Sequence, residues 1–168
     1  MEKKINLDEI TIRTELRSGD IGYVIYMHGK IYKEEYDYGI QFETYVAEGL
    51  CEFYKQYNPE KDRVWICEHS NKIVGFLLLM NRGKAALLRY FLLKKEYRGI
   101  GLGNKLINLF LEFLKECKYV SAYLLTTDTL IEAAHLYTKY GFKLVEENES
   151  TAFGRTEKEQ RYEIVLNY

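Results

Sequence analysis

The sequence predicts an α/β chain of the α+β type, with a mixed, largely antiparallel central sheet of about six to seven strands flanked by helices. Three observations carry that prediction. Apolar runs at residues 63–68 and 72–79 are separated by Ser70-Asn71, and a third run at 85–93 follows the turn Asn81-Arg82-Gly83-Lys84, which is the pattern of consecutive antiparallel strands. Further along, short apolar runs alternate with helical periods, which is the pattern of strand–helix–strand units. Finally, 168 residues with 47% apolar content suit one domain, residues 1–168, with a core large enough to cover a sheet on both faces.

In chain order, residues 11–16 alternate loosely and predict a first strand. Ser18-Gly19-Asp20 resembles a helix start, and the helix is expected to run to about Tyr32. A second helix is expected over 41–54, where Phe42, Val46, Leu50 and Phe53 recur at helical spacing. Between the two helices lies Lys33-Glu34-Glu35-Tyr36-Asp37-Tyr38-Gly39, read as a loop. The single proline, Pro59, marks a long turn before the hairpin. After the strand at 85–93 come a helix at 102–117, a strand at 121–127, a helix at 130–140, a strand at 142–146 and a last strand at 161–166.

Composition removes several functions. A formal net charge of −1 gives no basic excess for a nucleic-acid surface, and Glu146-Glu147 and Glu157-Lys158-Glu159 read as solvated charge. No run approaches the roughly 18 apolar residues of a membrane helix. Met1-Glu2-Lys3-Lys4-Ile5-Asn6 lacks the apolar core of a signal peptide. Cys51, Cys67 and Cys117 are odd in number and unclustered, which fits reduced thiols and a cytoplasmic location. His28, His69 and His135 have no ligand spacing, so no metal is expected; His28 and His135 fall on helices and His69 in a turn.

The most informative stretch is Arg98-Gly99-Ile100-Gly101-Leu102-Gly103-Asn104, which follows a strand and opens a helix. Alternating glycines permit a tight turn and close backbone approach. The unpaired N–H groups and dipole of the helix start favour an anion, so the segment reads as a phosphate cradle. It is not a P-loop, because Gly103 is followed by Asn104-Lys105-Leu106. Nor is it a dinucleotide fingerprint, because the spacing is Gly-x-Gly-x-Gly and residues 117–125 carry no acid.

Arg98-x-x-Gly101-x-Gly103 instead resembles the Arg/Gln-x-x-Gly-x-Gly/Ala signature of the GNAT (Gcn5-related N-acetyltransferase) superfamily. A second segment, Ala133-Ala134-His135-Leu136-Tyr137-Thr138-Lys139-Tyr140-Gly141-Phe142, resembles that family's Ala-x-x-Leu-Tyr-x-x-x-Gly-Phe. The interval between them is what one helix and one strand would fill. The likeness extends over essentially the whole chain, nearest to the acetyltransferase half of bacterial regulator–acetyltransferase fusions.

The resemblance implies the acyl-CoA N-acyltransferase fold and acetyl-CoA as co-substrate. It implies that Phe91, Leu92 and Leu93 pair with the pantetheine arm through backbone groups, and that N–H groups of Arg98, Gly99, Ile100, Gly101, Leu102, Gly103 and Asn104 meet the pyrophosphate. Tyr137 matches the family's general acid, protonating the CoA thiolate as it leaves. An Asn common in the family seven residues before that Tyr is Leu130 here, with Thr127, Asp128 or Thr129 as substitutes. Glu35, in the acidic and tyrosine-rich segment that resembles the substrate-lining region, is the choice for general base or substrate anchor. The implied activity is direct transfer of acetyl to a primary amine, small or peptidic, in a ternary complex. A silent acyl-CoA-binding sensor or scaffold is the alternative, and a homodimer is an open expectation.

Overall fold

Seven strands hydrogen-bond into one sheet in the order β1-β2-β3-β4-β5-β7-β6 in a computed structural model that describes residues 4–168. The strands are β1 (Thr11–Arg13), β2 (Arg63–His69), β3 (Lys72–Arg82), β4 (Ala85–Leu93), β5 (Ser121–Thr127), β6 (Lys143–Ser150) and β7 (Glu157–Val165). The helices are α1 (Asp20–Tyr36), α2 (Ile40–Lys55), α3 (Leu102–Glu116) and α4 (Ile131–Lys139). Met1, Glu2 and Lys3, which open the segment read for a signal peptide, lie outside the described residues. Among the described residues no helix is long and apolar enough to cross a membrane.

Neighbouring strands are antiparallel except β4 and β5, which are parallel and joined through α3. Helices α1 and α2 cover one face of the sheet and α3 and α4 the other. Val24, Phe42, Val46, Leu50 and Phe53 pack on Val64, Ile66, Phe76, Leu78, Met80 and Leu87 on the first face. Leu102, Leu106, Ile107, Phe110 and Leu114 pack on Trp65, Leu77, Leu79, Leu88, Ala122 and Leu124 on the second. Opposite parities of β2, β3 and β4 thus feed two separate cores, which is why these strands read as continuous apolar runs.

Several boundaries differ from the sequence reading. The first strand ends at Arg13, not at residue 16. The Arg13 guanidinium grips both Asp20 oxygens at 2.8 Å and Glu68 Oε1 at 2.8 Å, which turns the chain toward α1 instead of along the sheet. Gly19, at φ 93°, caps α1 without a side-chain bond, while the Asp20 carboxylate accepts from the Arg17 N–H at 2.6 Å. Helix α1 continues one turn past Tyr32 to Tyr36, supported by the Lys33–Asp37 ion pair and closed by Asp37 at φ 57°. Glu35 therefore stands on the last helical turn and not in a loop. His69 ends β2 and does not lie in the turn, which Ser70 and Asn71 make at φ 51° and 61°.

The β6–β7 hairpin is longer than expected at its far end, pairing as far as Ser150 with Glu157. Its outer residues are polar on both faces, so no alternation signalled them. The reading of residues 157–159 as solvated charge fails at Glu157, which is 7% exposed and held by Tyr38 Oη at 2.6 Å and Arg155 Nε at 2.7 Å.

Candidate active site

The site originates in a parting of strands. β4 and β5 pair only at Ala85–Ser121, Ala86–Ala122 and Leu87–Tyr123; beyond these β4 stays with β3 and β5 with β7. The remaining lengths of the two strands diverge and leave backbone groups facing a gap. A bulge in β4 coincides with the opening: the register with β3 shifts between Phe76 and Leu78, and Tyr90 takes φ 56°. The bulge breaks the alternation of side chains. Arg89 and Tyr90 both meet α2, where an added Cβ at Gly49 would lie 2.9 Å from Arg89 Nη2 and 1.6 Å from Tyr90 Oη, while Phe91 and Leu93 turn to the α3 face.

A cavity of about 690 Å³ runs through this gap, within the size range of small-molecule sites. On the α3–α4 face it is walled by Phe91, Leu93, Gly101, Gly103, Leu136 and Tyr137. On the α1–α2 face the wall is aromatic: Tyr32, Tyr36, Tyr38, Phe42, Tyr45 and Phe153. Tyr32 packs at a tilt against Phe42 at 4.4 Å and stacks over Tyr38 at 5.6 Å between ring centroids. His28 lies behind Tyr32 and is 2% exposed, with Nδ1 2.8 Å from the Val24 carbonyl; burial lowers its pKa to about 4, so the ring is neutral.

The glycine segment is shaped as the spacing implies. Gly99 and Gly101 have φ of 74° and 91°, the left-handed region that costs a residue with a Cβ about 1–2 kcal/mol. Gly101 caps α3 without a side-chain bond, so the first N–H groups of the helix keep no partner from the cap. At Gly103 an added Cβ would approach Leu136 Cδ2 to 3.4 Å and Phe91 Cζ to 3.5 Å and would narrow the cleft floor.

Of the residues singled out from the sequence, Phe91, Leu92, Leu93, Arg98, Gly99, Gly101, Gly103, Asn104, Glu35 and Tyr137 border this one cavity. Ile100 and Leu102 do not: both side chains pack in the α3–α4 core, Leu102 at 1% exposure, so only their backbone groups are available to a ligand. The Asn104 side chain is engaged elsewhere, accepting from Lys139 Nζ at 2.8 Å and Tyr140 Oη at 2.9 Å. Arg98 donates to the Leu93 carbonyl through Nε and Nη2, and it pairs with both carboxylate oxygens of Glu35 at 2.9 Å. This arginine therefore ties the glycine segment to the end of α1.

Tyr137 is 6% exposed and packs against Phe91, Phe142 and Tyr162. Burial alone raises its phenol pKa, which keeps the proton in place at neutral pH. Leu130 also borders the cavity. None of the three polar neighbours read as its substitutes is free. Thr127 bonds Thr129 at 2.8 Å and Tyr38 at 3.3 Å, and Asp128 accepts from the Lys158 N–H at 3.1 Å. Thr126, one residue before Thr127, is different: it is 8% exposed, borders the cavity, and its Oγ1 is buried without a partner among the described residues. Thr126, Arg89 and Phe153 carry no signal in the sequence because each sits in an ordinary context, and His28 reads there only as a helix residue without ligand spacing. The β4 bulge brings Arg89 to the gap, while Thr126, His28 and Phe153 reach it from β5, α1 and the β6–β7 turn. His135 is exposed and away from the cavity, and no cluster of three or more His, Cys, Asp or Glu suited to a metal occurs among the described residues.

Comparisons with known proteins give the family and the fold. Residues 60–144 match the family model of the acetyltransferase (GNAT) domain. An acetyltransferase from Streptococcus agalactiae 2603 superposes with a TM-score of 0.75 at 20% identity, covering 95% of this chain and 100% of that one. A GNAT family acetyltransferase from Staphylococcus aureus MU50 gives 0.77 at 23% identity, covering 94% and 99%. A spermidine N-acetyltransferase from Vibrio cholerae, solved with CoA and spermine, gives 0.69 at 21% identity, covering 94% and 96%. No curated protein matches the chain. At these identities the solved structures establish the fold alone.

Proposed function

Because the chain belongs to the GNAT family of acetyltransferases, we propose that it transfers acetyl from acetyl-CoA to a primary amine by direct attack, both partners being held in the through-sheet cavity. The observation that carries this reading is the convergence of the glycine segment, the parted β4 and β5 backbones and Tyr137 on one cavity. The residues fit acetyl-CoA. The bare Gly103 leaves room at the cleft floor, the α3 start offers N–H groups to a diphosphate, and Thr126 Oγ1 is an orphaned polar group where a pantetheine amide would need a partner. When bound, acetyl-CoA supplies an activated thioester.

Tyr137 is the proposed proton donor to the departing sulfur. Its raised pKa is compatible with that role, because the apolar surroundings that hold the phenol neutral also disfavour a naked thiolate in the same cleft. Glu35 was expected as base or anchor. With both oxygens already shared with Arg98, it is better suited to anchoring an acceptor ammonium beside Tyr36 than to carrying the proton away.

Two measurements test the reading. Calorimetry with acetyl-CoA should show binding, and release of free CoA should depend on an added amine. Binding without amine-dependent release would make the protein an acyl-CoA sensor, and no binding would end the proposal. The acid limb of the pH–rate profile should stay in place in Glu35→Gln; a moved limb would return Glu35 to the base role.

A further inference from the structure

Charges along the cavity are mostly neutralised in pairs. Glu35 is matched by Arg98, and Arg82 by Glu52 at 3.3 Å. Three charged groups bordering the cavity have no oppositely charged side chain within 4.0 Å among the described residues: Glu132, Glu159 and Arg89. Glu132, on the first turn of α4, acts electrostatically on Tyr36. Arg89 stands at the α2 end of the chamber.

The setting of Arg89 is built rather than incidental. The β4 bulge, with Tyr90 in a left-handed conformation that costs on the order of 1 kcal/mol or more, turns Arg89 and Tyr90 to the same side. The guanidinium then lies over the Tyr90 ring at 4.7 Å and donates to Tyr45 Oη at 3.2 Å. Gly49 leaves the space for this pair: a Cβ there would lie 1.6 Å from Tyr90 Oη and 2.9 Å from Arg89 Nη2. A guanidinium has five N–H donors in a planar fork, and the phenol takes one. The others have no acceptor among the described residues, beside an aromatic wall of Tyr32, Tyr38, Phe42 and Phe153.

We propose that Arg89 receives an anionic group of the acceptor, so that the acceptor is an amine carrying a carboxylate or phosphate on an apolar body and not a plain polyamine. The inference rests on the acetyl-transfer reading and deepens it. A planar fork held between two tyrosines matches a carboxylate or phosphate geometrically and excludes a second ammonium. Glu132, on the α4 side and without an ion-pair partner among the described residues, suits the amine, so unpaired charges of opposite sign border the one chamber.

The test uses twins that differ in the anion alone: phenylalanine against phenethylamine, 4-aminobutyrate against butylamine, and an aminoalkyl phosphate against the matching alkylamine. Spermidine serves as the polycation. Each is assayed for acetylation and titrated by calorimetry into CoA-loaded protein. The expected result is a preference of about tenfold or more in kcat/KM or affinity for anionic members of at least one pair. R89M should abolish it, bringing the two members of each pair to within about twofold of one another. R89K, which keeps the charge without the fork, should retain part of it. Carboxylate and phosphate arms identify which anion is read. The proposal is overturned if acetyl-CoA binds yet every anionic member is equal or inferior to its twin, if spermidine outperforms all of them, or if R89M and R89K lower both members of a pair alike. Failure of acetyl-CoA itself to bind would instead refute the reading on which this rests.

Discussion

The two sides of the cavity are built by different means. Toward α3 and α4 it is largely backbone: two glycines with positive φ, the open start of a helix and two strands that part. Toward α1 and α2 it is side chain: Tyr32, Tyr36, Tyr38, Phe42 and Phe153 in mutual contact, with a buried hydrogen bond from Tyr38 to Glu157 and a half-buried one from Arg155 to Glu157 behind them. A backbone surface recognises what every bound partner has in common, since amides are the same whatever residues carry them. A side-chain surface recognises what distinguishes one partner from another. The contrast suits a co-substrate held on one side and a particular acceptor on the other.

Acid should separate the two sides most strongly. His28 belongs only to the aromatic side, and its pKa falls from the ordinary 6.5 to about 4 through burial. Between those values the unfolded chain binds the proton and the folded one does not, so stability conferred by this group is complete above pH 6.5 and is lost as the pH falls toward 4. The loss amounts to about 3 kcal/mol. Denaturation curves at a series of pH values should show it, and His28→Asn should flatten that part of the profile; parallel profiles for the two proteins would refute it.

Tyr137 stands where the sides meet and should sharpen the comparison from its centre. Tyr137→Phe is expected to lower turnover by about tenfold or more while leaving acetyl-CoA affinity and acceptor KM close to their original values. Unchanged turnover at saturation would remove it from the chemistry.

The smallest expected effect belongs to the backbone side. Thr126→Val keeps the shape and removes Oγ1, which should weaken acetyl-CoA binding by about fivefold, as one neutral hydrogen bond of about 1 kcal/mol would. Thr126→Ser should restore most of it. Equal affinity in all three proteins would mean that the orphaned hydroxyl meets no part of the co-substrate.

The same contrast explains what was legible in the sequence. Glycine spacing, the strand before it and the helix after it are local signals, so the backbone side could be read in advance through Arg98, Gly101 and Gly103. Tyr137 was legible because Leu136 and Gly141-Phe142 frame it. The aromatic side joins residues from α1, α2, β4 and the β6–β7 turn, such as Tyr32, Tyr45, Arg89 and Phe153, and with 16 tyrosines in the chain no local pattern marks the few that line a cavity. The bulge at Tyr90 was equally hidden, since a positive φ at a tyrosine leaves no trace in composition. Glu35 was read as a loop residue because Asp37 and Gly39 suggest a break that the helix in fact reaches only after Tyr36.

The cavity at the parting of β4 and β5 is lined by residues from both faces of the sheet. In the proposed reaction, with acetyl-CoA on one face and the acceptor on the other, neither reactant would have to pass the other on its way in or out. The expected kinetic signature is random order, with initial-rate lines that intersect and with each product inhibiting without a fixed sequence of departure.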